Sequence, residues 1–223
     1  MIDLKKYMNK DNIWVLIIVS IICLMLYSIF FNVNQDTGER EYYEAYKFII
    51  PGLSITFIAT LSSFGIAVII GLFAGIGRIS KNTFFKNISR AYIEFIRGVP
   101  VIILLFTVAF VIVVDVAELF NLRGNQIPMI LRAIIALAFF YGAYIAEVFR
   151  AGIESVGEGQ IEGGKSLGLN SKQIMRYIIL PQAFKNMLPA LGNDFISMMK
   201  DSSLLSVLAV NDLTQKGRLY AVS

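Results

Sequence analysis

Residues Gly159-Gln160-Ile161-Glu162-Gly163-Gly164-Lys165-Ser166 fit the phosphate-loop pattern G-x-x-x-x-G-K-S at every required position. In such a loop the backbone amides cradle phosphates, the lysine reaches the terminal phosphates and the serine holds magnesium. That chemistry needs a strand before the loop, a helix after it and a parallel sheet holding both. The preceding stretch, Arg150-Ala151-Gly152-Ile153-Glu154-Ser155-Val156-Gly157-Glu158, is no buried strand, and no apolar strand ending in Asp follows. The polar segment around the pattern is also far shorter than a nucleotide-binding domain, which needs more than about a hundred residues. Histidine is absent and Cys23 is the single cysteine. Ser-His-Asp and Cys-His nucleophilic sites, His-ligated metals, CxxC redox pairs and an internal disulfide are thereby excluded together. No catalytic residue and no metal site is expected.

What remains with chemical character is charge set in apolar surroundings. Glu94/Arg97 and Glu147/Arg150 are spaced i, i+3, so each pair shares a helix face. Each reads either as an interfacial ion pair, worth about 0–1 kcal/mol where water reaches it, or as a gate or latch. Asp194, Lys200 and Asp201 interrupt an apolar run. Charge within a membrane span usually faces a cavity or a partner. Lys200 and Asp201 fit lining of a path and structural pairing equally well.

The elements that must position these residues are membrane helices. Of 223 residues 57% are apolar and 16% charged, whereas a soluble domain carries about 25% charged residues. The apolar residues come in blocks long enough to cross a bilayer, which takes about 20 residues. At least five spans are expected, at roughly 13–31, 51–77, 91–114, 129–149 and 188–210, the last being the weakest. The first resembles a signal peptide only superficially. It exceeds an ordinary h-region and ends in Phe30, Phe31 and Asn32 without a small-residue cleavage site, so it reads as an uncleaved anchor. Basic residues alternate between the connections: Lys5, Lys6 and Lys10, then Arg78, Lys81, Lys86 and Arg90, then Arg150, Lys165, Lys172, Arg176 and Lys185. By the positive-inside rule the N-terminus and the 78–90 and 150–187 connections are cytoplasmic. The net charge of +4 thus reflects loops facing anionic lipid, and no nucleic-acid partner is expected. Ala67, Gly71 and Gly75 recur every four residues, the spacing that lets helices approach closely in lipid.

Residues 150–187 then need an explanation. The stretch Glu158 to Leu167 is small and polar, Gly168 interrupts it, and Ile174, Met175, Ile178 and Ile179 follow at amphipathic helical spacing. Ser171 is the expected N-cap, Pro181 is expected to break or kink the segment after Leu180, and Pro189 to bend the chain again. Two short helices turning at Gly168 could form a docking knob for a soluble partner, or a surface helix with no partner.

Glu162-Gly163-Gly164, Gly168, Ile178 and Leu180-Pro181 have the spacing of the EAA---G---------I-LP loop. That loop marks the membrane subunits of bacterial ABC importers. Tyr92-Ile93-Glu94-Phe95-Ile96-Arg97-Gly98-Val99-Pro100 resembles the Y-(V/I)-E-x-x-R-G-x-P segment of the polar amino acid permeases. Ala146-Glu147-Val148-Phe149-Arg150-Ala151-Gly152-Ile153 resembles their A-E-x-x-R-x-G-I segment, and Lys200-Asp201-Ser202-Ser203-Leu204 their K-D-(S/T)-S-L segment. Four motifs in order, over about residue 52 to the end, make the resemblance specific.

The resemblance implies an all-α polytopic bundle of the type I importer fold, in the bacterial plasma membrane. It implies a permease subunit, not an enzyme, in an ATP-driven importer of polar amino acids. Its partners would be two cytoplasmic ATPase copies, a second permease subunit (identical or not) and an extracytoplasmic solute-binding protein. ATP and magnesium would bind in the ATPase, and no cofactor in this chain. An anchor over 1–50 and a permease core over 51–223 are expected, with the loop at about 150–190. ATPase coupling falls to Glu162, Gly163, Gly164 and Gly168, with Ile178, Leu180 and Pro181 as lever. Gate or path candidates are Glu94, Arg97, Glu147, Arg150, Asp194, Lys200 and Asp201. Two departures stand out. The loop's two alanines are Gly163 and Gly164, and glycine weakens a helix by about 1 kcal/mol per residue. Members usually continue past the segment matching Asn211 to Ser223 with one more span, so a truncation before that span is expected. A membrane-anchored nucleotide-binding protein and an ATPase-independent channel or scaffold are the competing readings.

Overall fold

Apolar runs free of proline become the long helices of this chain, and prolines and glycines set the breaks. The computed structural model describes residues 10–31, 41–121 and 126–222, and every regular element among them is helical. Among the described residues three stretches are long and apolar enough to cross a membrane: Tyr42–Arg78, Val101–Leu119 and Met129–Glu154. Ile13–Ser28 is a shorter apolar helical stretch.

The chain divides into two units. The first, Met1–Pro51 with Lys216–Ser223, contains α1 (Lys10–Phe31) and α2 (Glu41–Ile49). Every side chain from Ile13 to Ser28 is exposed, which suits a helix apolar on all sides only if lipid surrounds it. Within this unit Phe48 packs 5.8 Å from the Tyr220 ring, and the Lys216 ammonium lies 4.8 Å from the Phe48 centroid.

The second unit, Gly52–Gln215, is organised around α7 (Met129–Glu154), whose small and aromatic residues from Ala133 to Ala146 are largely buried. Against it lies α3 (Pro51–Arg78), presenting a stripe of Ala59, Ser63, Ala67, Gly71 and Gly75. A Cβ on Gly71 would stand 2.6 Å from Ile145 Cγ2, and one on Gly75 2.8 Å from the Ala146 carbonyl oxygen. The two backbones therefore touch, and Ser63 Oγ adds a hydrogen bond to the Ile134 carbonyl at 3.2 Å.

The expected third span, 91–114, does not form as one helix. Pro100 disfavours helical backbone at Val99, which is extended (φ −105°, ψ 137°). An amphipathic helix, α4 (Thr83–Gly98), ends there. The apolar helix starts afresh as α5 (Val101–Thr107), passes through a π-helical turn at Val108–Ile112 and ends as α6 (Val113–Leu119). Glu94 and Arg97 thus belong to α4 and lie outside the span.

The 150–187 connection also differs in detail. Helix α8 (Glu158–Ser166) stops at Gly168, whose φ of +79° closes it with bonds from Gly168 N–H to Lys165 O and Leu169 N–H to Gly164 O. That left-handed conformation favours glycine. The next helix is capped by Asn170, one residue earlier than expected: Asn170 and Gln173 form a reciprocal capping box. Its first turn, α9 (Ser171–Ile174), leads into a π-helical turn at Met175–Ile179 and then α10 (Leu180–Asp201). Pro181 does not break this helix. Proline lacks an N–H and its ring crowds the carbonyl four residues back; the wider π turn just before it makes room. Pro189 likewise lies inside α10. The run 188–210 is divided between the second half of α10 and a 3₁₀ turn at Ser202–Leu208, before α11 (Leu213–Ala221).

Candidate functional site

Three elements bring charge together at one end of α7. Helix α4 contributes Arg97, α7 contributes Tyr144 and Glu147, and α10 contributes Asp194, all on the wall of a cleft of about 480 Å³. Helix α10 can approach because α7 has Gly152 at the crossing, where a Cβ would stand 2.1 Å from Met187 Cγ. Asn186 Nδ2 donates to Ser155 Oγ at 2.9 Å and ties the same crossing. Tyr92 OH donates to the Phe139 carbonyl at 2.6 Å, fixing α4 on α7.

The Glu147/Arg150 pair forms, with Arg150 Nη2 donating to Glu147 Oε1 at 2.5 Å, and Arg150 also pairs with Glu154. The Glu94/Arg97 pair does not. Glu94 instead accepts from Arg90 at 2.8 Å and Arg78 at 3.5 Å. The Arg90 hydrogen bond, with Arg78 beyond it, holds the exposed Glu94 carboxyl below the usual carboxylate range. Arg97 is left to lie over Tyr144, its Cζ 5.3 Å from the ring centroid, a cation–π contact. The spacing rule misled because α4 turns Arg97 toward α7 while Arg78, at the end of α3, and Arg90, one turn back on α4, hold Glu94.

Glu147 Oε2 and Asp194 Oδ2 are buried with no hydrogen-bond partner. Buried carboxylate oxygens normally find donors, so these two are open to a ligand that brings N–H groups. Lys200 and Asp201 stand apart from this cleft: Lys200 is exposed, and Asp201 Oδ2 accepts from Tyr141 OH at 2.8 Å. Tyr141, Tyr144 and Asn186 lie outside the sequence motifs, whereas Tyr92 opens the Y-(V/I)-E-x-x-R-G-x-P segment without a role assigned to it there. Tyr141 and Tyr144 within the apolar run of α7 are the available signal, since a buried hydroxyl needs a partner.

The phosphate-loop pattern is helical from Glu158, and Ser166 Oγ donates to the Glu162 carbonyl at 3.0 Å. Such backbone offers no cradle for phosphate. Gly164 is buried against Ile178, whose Cδ1 would be 2.6 Å from an added Cβ, and Ile174, whereas Gly163 faces open space. Leu167, at the end of α8, is 82% exposed.

Residues 67–222 match the family model of the binding-protein-dependent transport system inner membrane component. The chain belongs to this family. Among curated relatives, the permease is 36% identical over 177 residues to the probable amino-acid permease protein YxeN of Bacillus subtilis, covering 79% of this chain and 77% of that one. It is 34% identical to the arginine transport system permease protein ArtQ of the same organism, over 76% and 74% of the two chains. A crystal structure of an amino acid ABC transporter with histidines superposes with a TM-score of 0.72 at 37% identity, over 81% of this chain and 80% of that one. The MetNI methionine ABC transporter, inward facing, shares the fold with a TM-score of 0.57 at 22% identity, over 78% of each chain. The permease is thus an all-α membrane subunit of the type I importer fold, from the amino-acid ABC permeases. Membership implies an inner-membrane location with ATPase and binding-protein partners.

Proposed function

We propose that this permease forms half of the translocation path of an ATP-driven importer of polar amino acids, with α8 as the docking helix for a cytoplasmic ATPase. The observation that carries the reading is a mechanical connection. Helix α8 rests through Gly164 on Ile174 and Ile178, and the same helical stretch continues through α10 to Asp194 in the cleft. Displacement of α8 would then move one wall of the cleft. In this reading Glu162, Gly163 and Gly168, with exposed Leu167, meet the ATPase, and Ile178, Leu180 and Pro181 act as the lever.

The cleft suits a zwitterion. Arg97 offers a cation to an α-carboxylate, and the free oxygens of Glu147 and Asp194 accept from an α-ammonium. The amino-acid and arginine permeases among the relatives support the same class. Two ATPase copies holding ATP and magnesium, a second permease subunit and a solute-binding protein complete the assembly. Residues 1–50 serve as an anchor to the core at 51–223, with Lys5, Lys6 and Lys10 placing the N-terminus in the cytoplasm.

The test is reconstitution in vesicles with candidate ATPase and binding-protein subunits. Loaded binding protein is expected to stimulate ATP hydrolysis, and Gly168→Val, strained at φ +79°, to abolish the stimulation. Hydrolysis indifferent to the loaded protein would refute the reading.

A further inference from the structure

Two clefts of the Gly52–Gln215 unit adjoin each other, sharing Ile79 and Ile153. The first, of about 560 Å³, has Arg78, Lys86, Arg90 and Arg150 on its wall against two carboxylates, Glu154 and Glu158. The second, of about 820 Å³, is lined almost wholly by apolar side chains, including Leu72, Ile76, Phe149, Leu180 and Phe184. Ile76, Leu180 and Phe184 are each close to half exposed.

Charge around the first cleft is spread unevenly: Arg78, Lys86 and Arg90 lie toward Glu94, whereas Glu147 and Glu154 are taken up by Arg150, and Glu158 enters none of the ion pairs among the described residues. Arg78 and Arg90 share the single carboxylate of Glu94. Lys86 is exposed and enters none of the ion pairs among the described residues. An occupant complementary to both clefts needs an anionic head and a long apolar body joined side by side. Arg78 and Arg150 stand at or near the ends of the apolar helices α3 and α7, the depth at which a leaflet presents its phosphates.

We propose that the paired clefts bind one anionic phospholipid, its phosphate against Lys86 and Arg90 and an acyl chain along Ile76, Phe149 and Phe184. The head lies beside Glu158 and Ile161 of α8 and Ile179 of the π turn, and the chain beside Met175 and Leu180. The lipid therefore sits under the seat of the docking helix, and its charge tunes how firmly α8 is held. The siting in the inner leaflet rests on the proposed orientation.

Native mass spectrometry of the full chain in detergent, titrated with phosphatidylglycerol or phosphatidylcholine, tests this. Phosphatidylglycerol is expected to be retained preferentially. Lys86→Ala with Arg90→Ala should lower that preference about tenfold and leave phosphatidylcholine unchanged, with Lys86→Arg and Arg90→Lys restoring it. Ile76→Ser with Phe184→Ser should weaken retention of both lipids. Equal retention of the two lipids, or no effect of removing the cations, overturns the proposal. So does displacement by soluble glycerol phosphate, which would mark a free phosphate site. Undiminished retention of both lipids in the Ile76/Phe184 variant would show that this apolar face holds no acyl chain and overturn it too. The readout uses no ATPase, so a failure of ATP coupling with lipid preference intact would count against the transport reading alone.

Discussion

Gly163 and Gly164 replace two alanines of the family loop, yet they face different surroundings. Gly163 meets nothing within 4 Å, whereas a Cβ on Gly164 would stand 2.6 Å from Ile178 Cδ1. Gly163→Ala should therefore stabilise α8 by about 1 kcal/mol, read as slowed amide exchange across 158–166, with coupling retained. Gly164→Leu has no room and should lift α8 off the π turn, abolishing stimulated hydrolysis while the spans stay folded by circular dichroism. The cleft gives a second contrast. Asp194 carries a buried oxygen without a donor, an arrangement that costs about 1–3 kcal/mol. Asp194→Ala is expected to leave thermal stability unchanged or raised while uptake falls about tenfold or more, as when one partner of a buried charge contact is truncated. A fall in stability equal to the loss of uptake would show that the carboxylate is structural.

At the level of elements, the helices that matter most are set by small local features. The Asn170/Gln173 capping box satisfies two amides at the start of the α9–α10 stretch. Asn170→Ala should cost about 1 kcal/mol and fray the turn that seats α8, seen as faster exchange at 171–175 with α10 beyond Pro181 unaffected. This cap was one residue out of register from the sequence because Asn and Ser are both good capping residues and stand side by side. The break at Pro100 was written in the chain but read as part of a span, since Ile93, Ile96 and Val99 continue the apolar pattern across it. The π turn at Met175–Ile179 has no signature of its own. Pro181 announces a disturbance, and only packing against α8 and α7 decides between a break and a widened turn. In contrast, Pro51–Arg78 was legible almost to the residue, because nothing within it competes with a helix.

Across the whole molecule, the helical bundle and the short helix α8 were legible because lipid imposes long apolar runs and Gly168 punctuates the polar segment. The cleft was legible only in part. Arg97, Glu147 and Asp194 were each suspect as charges in apolar runs, but their convergence depends on how α4 and α10 cross α7, which no local pattern encodes. That crossing in turn depends on α3. Gly75 lies against the Ala146 carbonyl and Phe149 Cβ, on either side of Glu147, so the closeness of α3 to α7 fixes where Glu147 stands. Gly75→Leu should cost about 1–3 kcal/mol through overpacking, measured as a lower thermal midpoint in detergent, and should also reduce uptake by displacing α7 at the cleft. Gly65 lies on the same helix with nothing within 4 Å. Gly65→Leu is therefore expected to leave both quantities unchanged, or to raise the midpoint slightly through helix propensity. If the two variants fell alike, the cause would be bulk on α3 in general, and the α3–α7 contact would not be what holds the cleft in register.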